Sequence, residues 1–557
     1  MTALFRTRHS SLSWAKQPSY KGGLQTGTPA SFEVSSDGAA NGTTIKAALI
    51  TSTDDRDFVG DILVCVRATD SKNLGMPTMV KAFSHSTKTF VVDKMPAQVV
   101  ENDRFVHYTT PDGIIINDTA DSAAAQAVYD DDRDEAGDYW NGRAEEGGYY
   151  LETVYADNAA STDHPRITDF ATTDGVFSLS AALSGDPAIG DFFRPMKHPE
   201  ILGAALIPVE RADIPHDALV GGYGAPKAAA GNRTAAGSVD MAHRGPGRAR
   251  PGDQSDAYEP LSCVFDASDV ADITADTDGT TTSVPYSAGA PDVGDMFVTE
   301  EGDVFMATAD SGAALTPSPP LRTAVTKATT ITGGMVYTPS DLLNAALTVY
   351  AWKGNTVSET LYGVVPIPTF SAEKGAYHKI SLQLTAADWY QAHYGPDAAA
   401  LERGWYPKLP SVAAMKGRDG RFVLYDGTTA LELPLTGYTF DPGIETTDEV
   451  NICAPNDTDG QEIVNVHGKG TVKIRLTSTT RRLCRDFIAK RGLQMLIQMG
   501  SAPGYPGMFG LWAYDVSFDS GPIADDGGRL SLDIPFTVNR NETGLNLGLP
   551  QFAIMLS

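Results

Sequence analysis

Two stretches of the chain, 361–386 and 509–538, place apolar residues at every second position of the strand that follows a turn. The alternating apolar residues are Ile380, Leu382 and Leu384 in the first stretch, and Leu530, Leu532, Ile534, Phe536 and Val538 in the second. A period of two is typical of antiparallel strands that bury one face. Each stretch is therefore predicted to form a β-hairpin with one face in a core and the other in water.

The second hairpin carries further local signals. Residues 525–528 supply its turn, because glycine accepts the positive φ that a tight reversal requires. Pro535 has no N–H to donate, so its strand is predicted to lie at an edge or a join of the sheet. The apolar face predicted for the first strand of this hairpin consists of Trp512, Tyr514, Val516 and Phe518.

The rest of the chain predicts a mainly β protein. Its 54 glycines and 34 prolines favour many short strands joined by turns. One convincing helix is predicted, at 478–491, where an apolar stripe ends at a glycine. The two hairpins, with glycine-containing segments at 231–239 and 468–474 before them, indicate a weak internal repeat of pattern.

Changes in composition divide the 557 residues into three predicted parts. Residues 1–195 are predicted to hold an extended N-terminal arm, a compact inserted β-unit at about 42–110 and an acidic loop region. Residues 196–400 would form a first module with a buried strand at 202–209 and an insertion at about 258–330. Residues 401–557 would form a second module, interrupted by a long polar excursion at 441–466.

The formal net charge of −27 and the pI near 4.7 exclude nucleic-acid binding through the overall field of the protein. The short basic segment 243–250 has no interleaved aromatic residues for base stacking, so a contact with a neighbouring subunit is the better prediction. The acidic run 129–135 has the wrong spacing for a calcium loop and is predicted to be solvated. No stretch has the roughly 20 apolar residues that cross a bilayer, and the first residues do not form a signal peptide, so synthesis in the cytoplasm is expected.

The sequence shows no catalytic signature. It has no Walker loop, dinucleotide-binding motif or nucleophile elbow, and its ten histidines are scattered. The four cysteines form no CxxC pair, and Cys484 lies beside the apolar stripe of the predicted helix. A core thiol is therefore a better interpretation of Cys484 than a nucleophile working with His467. The chain is expected to be non-enzymatic, with no cofactor and no metal.

Residues 411–557 resemble phage tail tube proteins. The resemblance is carried by the helix TSTTRRLCRDFIAKRG, the strand LQMLIQMG and the closing segment DDGGRLSLDIPFTVNRNE. The segment GGYGAPKAAAGNRTAAGSVDMA, around 221–242, is similar to the matching strand of an earlier tube module. The opening SWAKQPSYKGGLQTGTP is also similar to that of the family. The chain departs from single-module members in its greater length and in the insertions around 42–110 and 258–330.

The resemblance implies two tandem tube modules, each a β-sandwich or half-barrel with a flanking helix or helix-like segment, plus small inserted β-domains. Three chains would then form a ring with a pseudo-sixfold inner wall, and rings would stack into a virion tail through which DNA passes without specific binding. The implied partners are other copies of the chain, tape-measure and tail-terminator proteins, and baseplate or tip proteins, with no membrane. Assembly in the host cytoplasm would precede incorporation into the virion.

The polar faces of the two hairpins would line the lumen. The residues expected there are Ser381, Gln383, Thr385, Ser531, Asp533 and Thr537, and the net charge predicts an acidic wall. A second hypothesis is a virion-surface or secreted β-sandwich adhesin that binds glycans through Trp140, Tyr149 and Tyr150. A third is a hydrolase whose site has no recognisable motif.

Overall fold

The protein is represented by a computed structural model. Within the described residues the chain is mainly β, with 38 strands and two short helices. The helix predicted at 478–491 lies outside them, apart from Thr480. The described residues are 10–17, 31–52, 58–108, 114–115, 127–129, 149–155, 167–171, 176–181, 192–197, 199, 201–214, 229–244, 255–287, 289–353, 357–386, 388–393, 415, 417, 420–450, 458–477, 480, 492–500, 507–519, 523–526 and 529–557.

A small barrel follows the first strand of the chain. Its strand order is β2-β7-β4-β5-β6-β3, and a backbone hydrogen bond from Ser35 to Lys46 joins the two outer strands. Five phenylalanines, including Phe32 and Phe90 with ring centroids 5.3 Å apart, fill its core. The strands are β1 (Ser10–Gln17), β2 (Ser31–Glu33), β3 (Thr44–Lys46), β4 (Ile62–Arg67), β5 (Pro77–Ser84), β6 (Thr89–Val92) and β7 (Arg104–Tyr108).

The next segment adds six strands. Three of them, β9, β11 and β12, form a separate sheet, while β8 and β10 both pair with β13. The strands are β8 (Ile114–Ile115), β9 (Ala127–Tyr129), β10 (Tyr149–Tyr155), β11 (Ile167–Ala171), β12 (Val176–Leu179) and β13 (Phe192–Lys197).

A long hairpin, β14–β15, precedes a compact β-rich unit. The sheet β18-β21-β20-β19 of that unit packs through Phe305 and Met306 onto a core shared with Trp512. The elements are β14 (Ile201–Ile214), β15 (Ala229–Ala242), α1 (Tyr258–Val264), β16 (Phe265–Asp269), β17 (Ile273–Thr274), β18 (Val284–Pro285), β19 (Met296–Val298), β20 (Val304–Asp310), β21 (Ala314–Ser318), β22 (Thr330–Ile331) and β23 (Met335–Pro339).

The remaining elements complete the main sheet. They are β24 (Ala346–Lys353), β25 (Val357–Glu373), β26 (Lys379–Ala386), β27 (Asp388–His393), β28 (Arg421–Tyr425), β29 (Ala430–Leu433), β30 (Leu435–Asp441), β31 (Ile444–Val450), β32 (Thr458–Val466), β33 (Lys469–Arg475), β34 (Leu493–Met499), β35 (Phe509–Phe518), β36 (Ile523–Asp526), β37 (Arg529–Val538), α2 (Glu542–Asn546) and β38 (Phe552–Leu556). β1 pairs with β24 over all eight of its residues.

Six neighbouring strands, β15-β26-β25-β30-β33-β37, form one continuous antiparallel run. One face of this run packs into the largest core of the protein, which includes Phe370, Tyr438, Phe440 and Phe536. The alternation predicted for the two hairpins is confirmed at this face, since Ile380, Leu382, Leu384, Ile534, Phe536 and Val538 are all buried. Leu530, at the outer end of β37, is 56% exposed.

The single apolar face predicted for 512–518 is wrong. The pairing of β34 with β35 shifts register between Ala513 and Val516, so the strand changes sides at this irregularity. Ala513 and Val516 both enter the largest core, whereas Trp512 enters the core beneath the inserted unit. The strand is central, buried on both faces, and its side chains therefore do not follow the strict period of a half-buried strand.

Two other predictions need correction. The strand predicted to be buried at 202–209 is β14, whose Leu202 is 44% exposed because it lies at an outer position of the sheet. The polar excursion at 441–466 contains a two-stranded ribbon, β31–β32, in which Thr446 pairs with Ile463 and Thr447 pairs with Glu462. Pro535 behaves as predicted for a join: its carbonyl accepts from the backbone of Asp519, in the connection between β35 and β36.

Candidate functional site

The face of the six-strand run opposite the core is polar and continuous, and we call it the polar face. It is set by the same alternation that buries the apolar residues, because successive side chains on a strand point to opposite sides. Its polar side chains are Ser238, Asp240, Thr369, Ser371, Glu373, Lys379, Ser381, Gln383, Thr385, Thr439, Asp441, Lys469, Thr471, Lys473, Arg475, Ser531, Asp533 and Thr537.

All six residues expected from the sequence to line a lumen lie on the polar face. Ser381, Gln383 and Thr385 are on β26, and the other three are on β37, with β25, β30 and β33 between them. Gln383 is exposed, Ser531 is buried, and the remaining four are half-buried. The structure thus brings both hairpins onto one surface.

Sequence reasoning missed the middle of the polar face. Lys469, Thr471 and Lys473 on β33 alternate with the buried Val472 and Ile474, which is the same period-two signal that identified the two hairpins. Thr369 and Ser371 on β25 were obscured by the prolines and valines around them, so no comparable signal was present in that strand.

Ion pairs link neighbouring strands across the polar face. Lys473 Nζ lies 3.0 Å from Glu373 Oε1, and Lys379 Nζ lies 3.1 Å from Asp240 Oδ2. A third pair, from Lys469 to Asp441, spans 3.7 Å. The groups are substantially exposed, so each pair contributes at most about 1 kcal/mol to stability. Their larger effect is on the charge of the surface, because each lysine meets a carboxylate of its own chain.

The polar face is balanced in charge. Its described side chains include four acidic and four basic residues, although the chain as a whole carries −27. Burial acts to raise the pKa of Asp240, but the Ser381 hydroxyl and the Lys379 ammonium outweigh it, and that pKa is lowered. The carboxylate therefore stays ionised beside its lysine, and the pair remains neutral overall near pH 7.

The same order of strands occurs twice along this sheet. The hairpins β14–β15 and β25–β26 meet through β15 and β26, and the hairpins β30–β33 and β35–β37 meet through β33 and β37. The first set of four strands is β14-β15-β26-β25, and the second set is β30-β33-β37-β35. The last strand of the first set, β25, pairs with the first strand of the second set, β30, from Phe370↔Phe440 to Glu373↔Gly437. The two sets of four strands thus share one orientation and join side by side.

Each end of this eight-strand arrangement has an unpaired edge within the described residues. β14 pairs only with β15, and β36, which continues from β35, pairs only with β37. Leu202 on β14 and Ile523 on β36 are 44% and 53% exposed. Exposed edges with apolar side chains invite pairing with another strand unless they are covered.

The ribbon β31–β32 projects from β30 and β33 and pairs with no other strand among those described. Gly443 at its base has a φ of +63°, and a Cβ there would lie 2.1 Å from the His467 carbonyl oxygen, so this reversal requires glycine. Glu445, Glu462 and the 57% exposed Val464 face solvent. Isolated two-stranded ribbons are marginally stable in water.

The described residues contain no group of three or more histidine, cysteine, aspartate or glutamate side chains that could hold a metal ion. Cys65 and Cys263 are buried thiols, and burial together with the nearby Asp103 raises the pKa of Cys65 to about 12. His467 is exposed, whereas Cys484 and Trp140 lie outside the described residues, as does the side chain of Tyr149. The proposed dyad and the proposed glycan groove are therefore not assembled by the part of the chain that is described.

No protein-family model matches this sequence, and no curated protein is significantly similar to it. Among the described residues, no helix has both the length and the apolar character needed to span a membrane.

Proposed function

We propose that the protein is a structural subunit of a phage tail tube, in which copies of the chain form stacked rings around a DNA-conducting lumen. The observation that carries this proposal is the repeated set of four strands with an unpaired edge at each end. Its support from the sequence is the resemblance of the segments around 221–242 and 411–557 to tail tube proteins.

The internal join provides the pattern for a contact between subunits. Within one chain, the outer strand of the first set pairs with the first strand of the second set, β25 with β30. The same contact between two chains would pair β36 and the end of β35 in one copy with β14 in the next. Such head-to-tail pairing is a heterologous contact, and it closes into a ring when the rotation per subunit is suitable. Closure would remove both edges.

Three copies give a bore of suitable size. Eight strands per chain would make a barrel of about 24 strands, with a spacing of about 4.8 Å between strands and a tilt of about 40°. The backbone diameter would be about 50 Å, which leaves room for side chains and a DNA duplex. Two copies would make a barrel of about 16 strands with about two thirds of this diameter. Barrels of that size enclose an aqueous channel for small solutes.

In this arrangement the polar face lines the lumen. Basic side chains dominate binding to the DNA backbone. The hydroxyl groups of the polar face carry no charge, and its lysines are already paired with carboxylates, so the face offers phosphate few free cations. DNA would pass without specific binding. The balanced charge of the described polar face supports a neutral wall, rather than the acidic wall expected from net charge alone.

The ribbon β31–β32 would contact the adjacent ring. It extends beyond the sheet, presents mostly polar side chains, and carries Val464 as an exposed apolar contact. Other partners would be the tail proteins that close the two ends of the tube and the protein that sets its length, with incorporation into the virion after assembly in the host cytoplasm.

Electron microscopy of the purified full chain, combined with sedimentation over a range of concentrations, tests the proposal. Rings of three subunits or stacked tubes are expected. A species that remains monomeric at every concentration, with no rings after addition of a tail-tip extract, contradicts the proposal. Rings of six identical chains would retain the tube and refute the tandem arrangement.

A further inference from the structure

Two histidines from separate hairpins meet where the two four-strand sets are joined. His243 follows β15 and His378 precedes β26, and their Nδ1 atoms lie 3.1 Å apart. The Nε2 atom of His378 lies 2.5 Å from the hydroxyl oxygen of Tyr438, on β30 of the second set. A chain of polar contacts therefore runs from the first set into the second.

The pair is enclosed by aromatic and backbone groups. Neither histidine is more than 1% exposed, and the ring of Phe509 lies 4.5 Å from that of His378 between centroids. The backbone N–H of His243 donates to the carbonyl of His378, that of His378 donates to Met415, and that of Met415 donates to His243. Three separate parts of the chain are thus held together around the two rings.

This arrangement can accept few protons. A hydrogen bond between two Nδ1 atoms requires one N–H and one bare nitrogen, so two charged rings would place N–H groups against each other. His243 Nε2 is buried and has no hydrogen-bond partner among the described residues. A charge on this ring would therefore be neither solvated nor compensated there.

The surrounding charged groups offer no compensation. Arg244 and Lys379 are next in sequence to the two histidines, and Lys379 is paired with Asp240 on the polar face. Tyr438 is the titratable group of β30 that contacts His378, and burial raises its pKa well above the usual value, so it stays neutral. Asp441, also on β30, lies on the polar face beside Lys469. No described carboxylate makes a hydrogen bond to either imidazole.

We propose that the buried pair of His243 and His378 is an acid-sensitive joint, at which protonation separates the two four-strand sets where β25 meets β30. This inference does not depend on the proposed tube, since it concerns the fold of one chain. It assigns a conformational role to two histidines that belong to no candidate metal-binding group among the described residues.

The direction of the effect follows from the burial of the rings. Burial lowers the pKa of His243 to about 3 from the usual 6.5, and burial with the neighbouring His243 lowers the pKa of His378 well below its usual value. The stabilising contribution is complete above pH 6.5 and is lost as pH falls from there towards the folded-state pKa. At pH 5, His243 alone shifts the equilibrium about 30-fold towards the open form.

Hydrogen exchange of the wild-type full chain tests the joint without any substitution. Between pH 7 and pH 5, protection factors of amides at 236–243, 378–386 and 437–441 are expected to fall at least about 30-fold. The hairpin 296–306 is the internal reference, because the inserted unit 258–330 around it contains no histidine. Unchanged protection at the joint, or an equal fall in the reference hairpin, overturns the proposal.

Two substitutions assign the effect to the histidines. His243→Asn keeps a polar atom near the Nδ1 position, and His378→Gln keeps one near the Nε2 position, yet neither side chain titrates. Each is expected to remove most of the loss of protection between pH 7 and pH 5, while His467→Asn, at an exposed histidine, keeps the wild-type response. The assignment to the histidines is refuted if both joint variants keep the full loss of protection between pH 7 and pH 5. If a variant does not fold, the hydrogen exchange of the wild-type chain alone tests the proposal.

Discussion

Phe370 on β25 and Phe440 on β30 are directly opposite each other at the join between the two four-strand sets, with ring centroids 6.4 Å apart and planes 29° apart. Phe440 also stacks on Phe536, 6.2 Å away, and meets the edge of Phe552 at 5.2 Å. One side chain therefore packs against strands of both sets, so the join is part of the largest core.

Phe440→Ala is expected to reduce the free energy of unfolding by about 3–5 kcal/mol, because it removes a fully buried ring and leaves a cavity between the two sets. Urea denaturation of the full chain measures the loss. Thr439→Ala, one position away on the exposed face, is the control and should change stability by no more than about 0.5 kcal/mol. Equal effects of the two substitutions would show that the join does not depend on this core.

Leu202→Asp and Ile523→Asp are each expected to leave the monomer folded and to prevent ring formation. Both side chains are exposed in the single chain, and a charge on an open strand edge opposes pairing with a second chain. Sedimentation and electron microscopy report assembly, and thermal unfolding reports the fold. Leu342→Asp is the matched control, since Leu342 is 72% exposed in a bend that belongs to neither edge strand. Rings formed by either edge variant would refute pairing of β14 with β36.

Replacement of 445–465 by a short glycine-containing turn is expected to give single rings that do not stack. The ribbon β31–β32 pairs only within itself among the described strands, so the sheet that contains β30 and β33 should survive its removal. Electron microscopy distinguishes isolated rings from tubes. Long tubes formed by the shortened chain would show that contacts between rings lie elsewhere.

Arg421→Ala is expected to destabilise the docking of the inserted unit by about 3 kcal/mol, because the nearly inaccessible Asp303 loses a buried cation. Arg421 Nη1 lies 3.4 Å from the Asp303 carboxylate, and Arg322 Nε contacts the same oxygen at 2.5 Å. Arg322→Ala serves as the comparison and should cost less, since this side chain is 48% exposed. Unfolding of the variants, with the double substitution completing the cycle, measures the coupling.

Cys65 is expected to resist alkylation at pH 8 in the folded chain. Its pKa of about 12, raised by burial and then by Asp103, leaves very little thiolate, which is the reactive form. Labelling should accelerate when the small barrel is unfolded by urea, and peptide mass spectrometry locates the label. Rapid labelling of Cys65 in the native protein would show that the barrel core opens readily.

The sequence by itself determined which side chains share a face in the half-buried strands. The closing strands of both hairpins, the strand β33 and the join at Pro535 follow from residue alternation and from the missing N–H of proline, and both are properties of short segments. The six residues placed on the polar face followed from the same alternation. The resemblance added a proposed assembly, which local patterns alone do not specify.

Tertiary structure alone decided which strands are neighbours. The pairing of β25 with β30, the burial of β35 on both faces and the meeting of His243 with His378 depend on contacts between residues far apart in sequence. Local alternation has the same appearance whether a strand ends at an open edge, as β14 does, or continues into another set, as β25 does. Only the folded chain distinguishes these cases, because backbone hydrogen bonds between strands carry no signature in side-chain order.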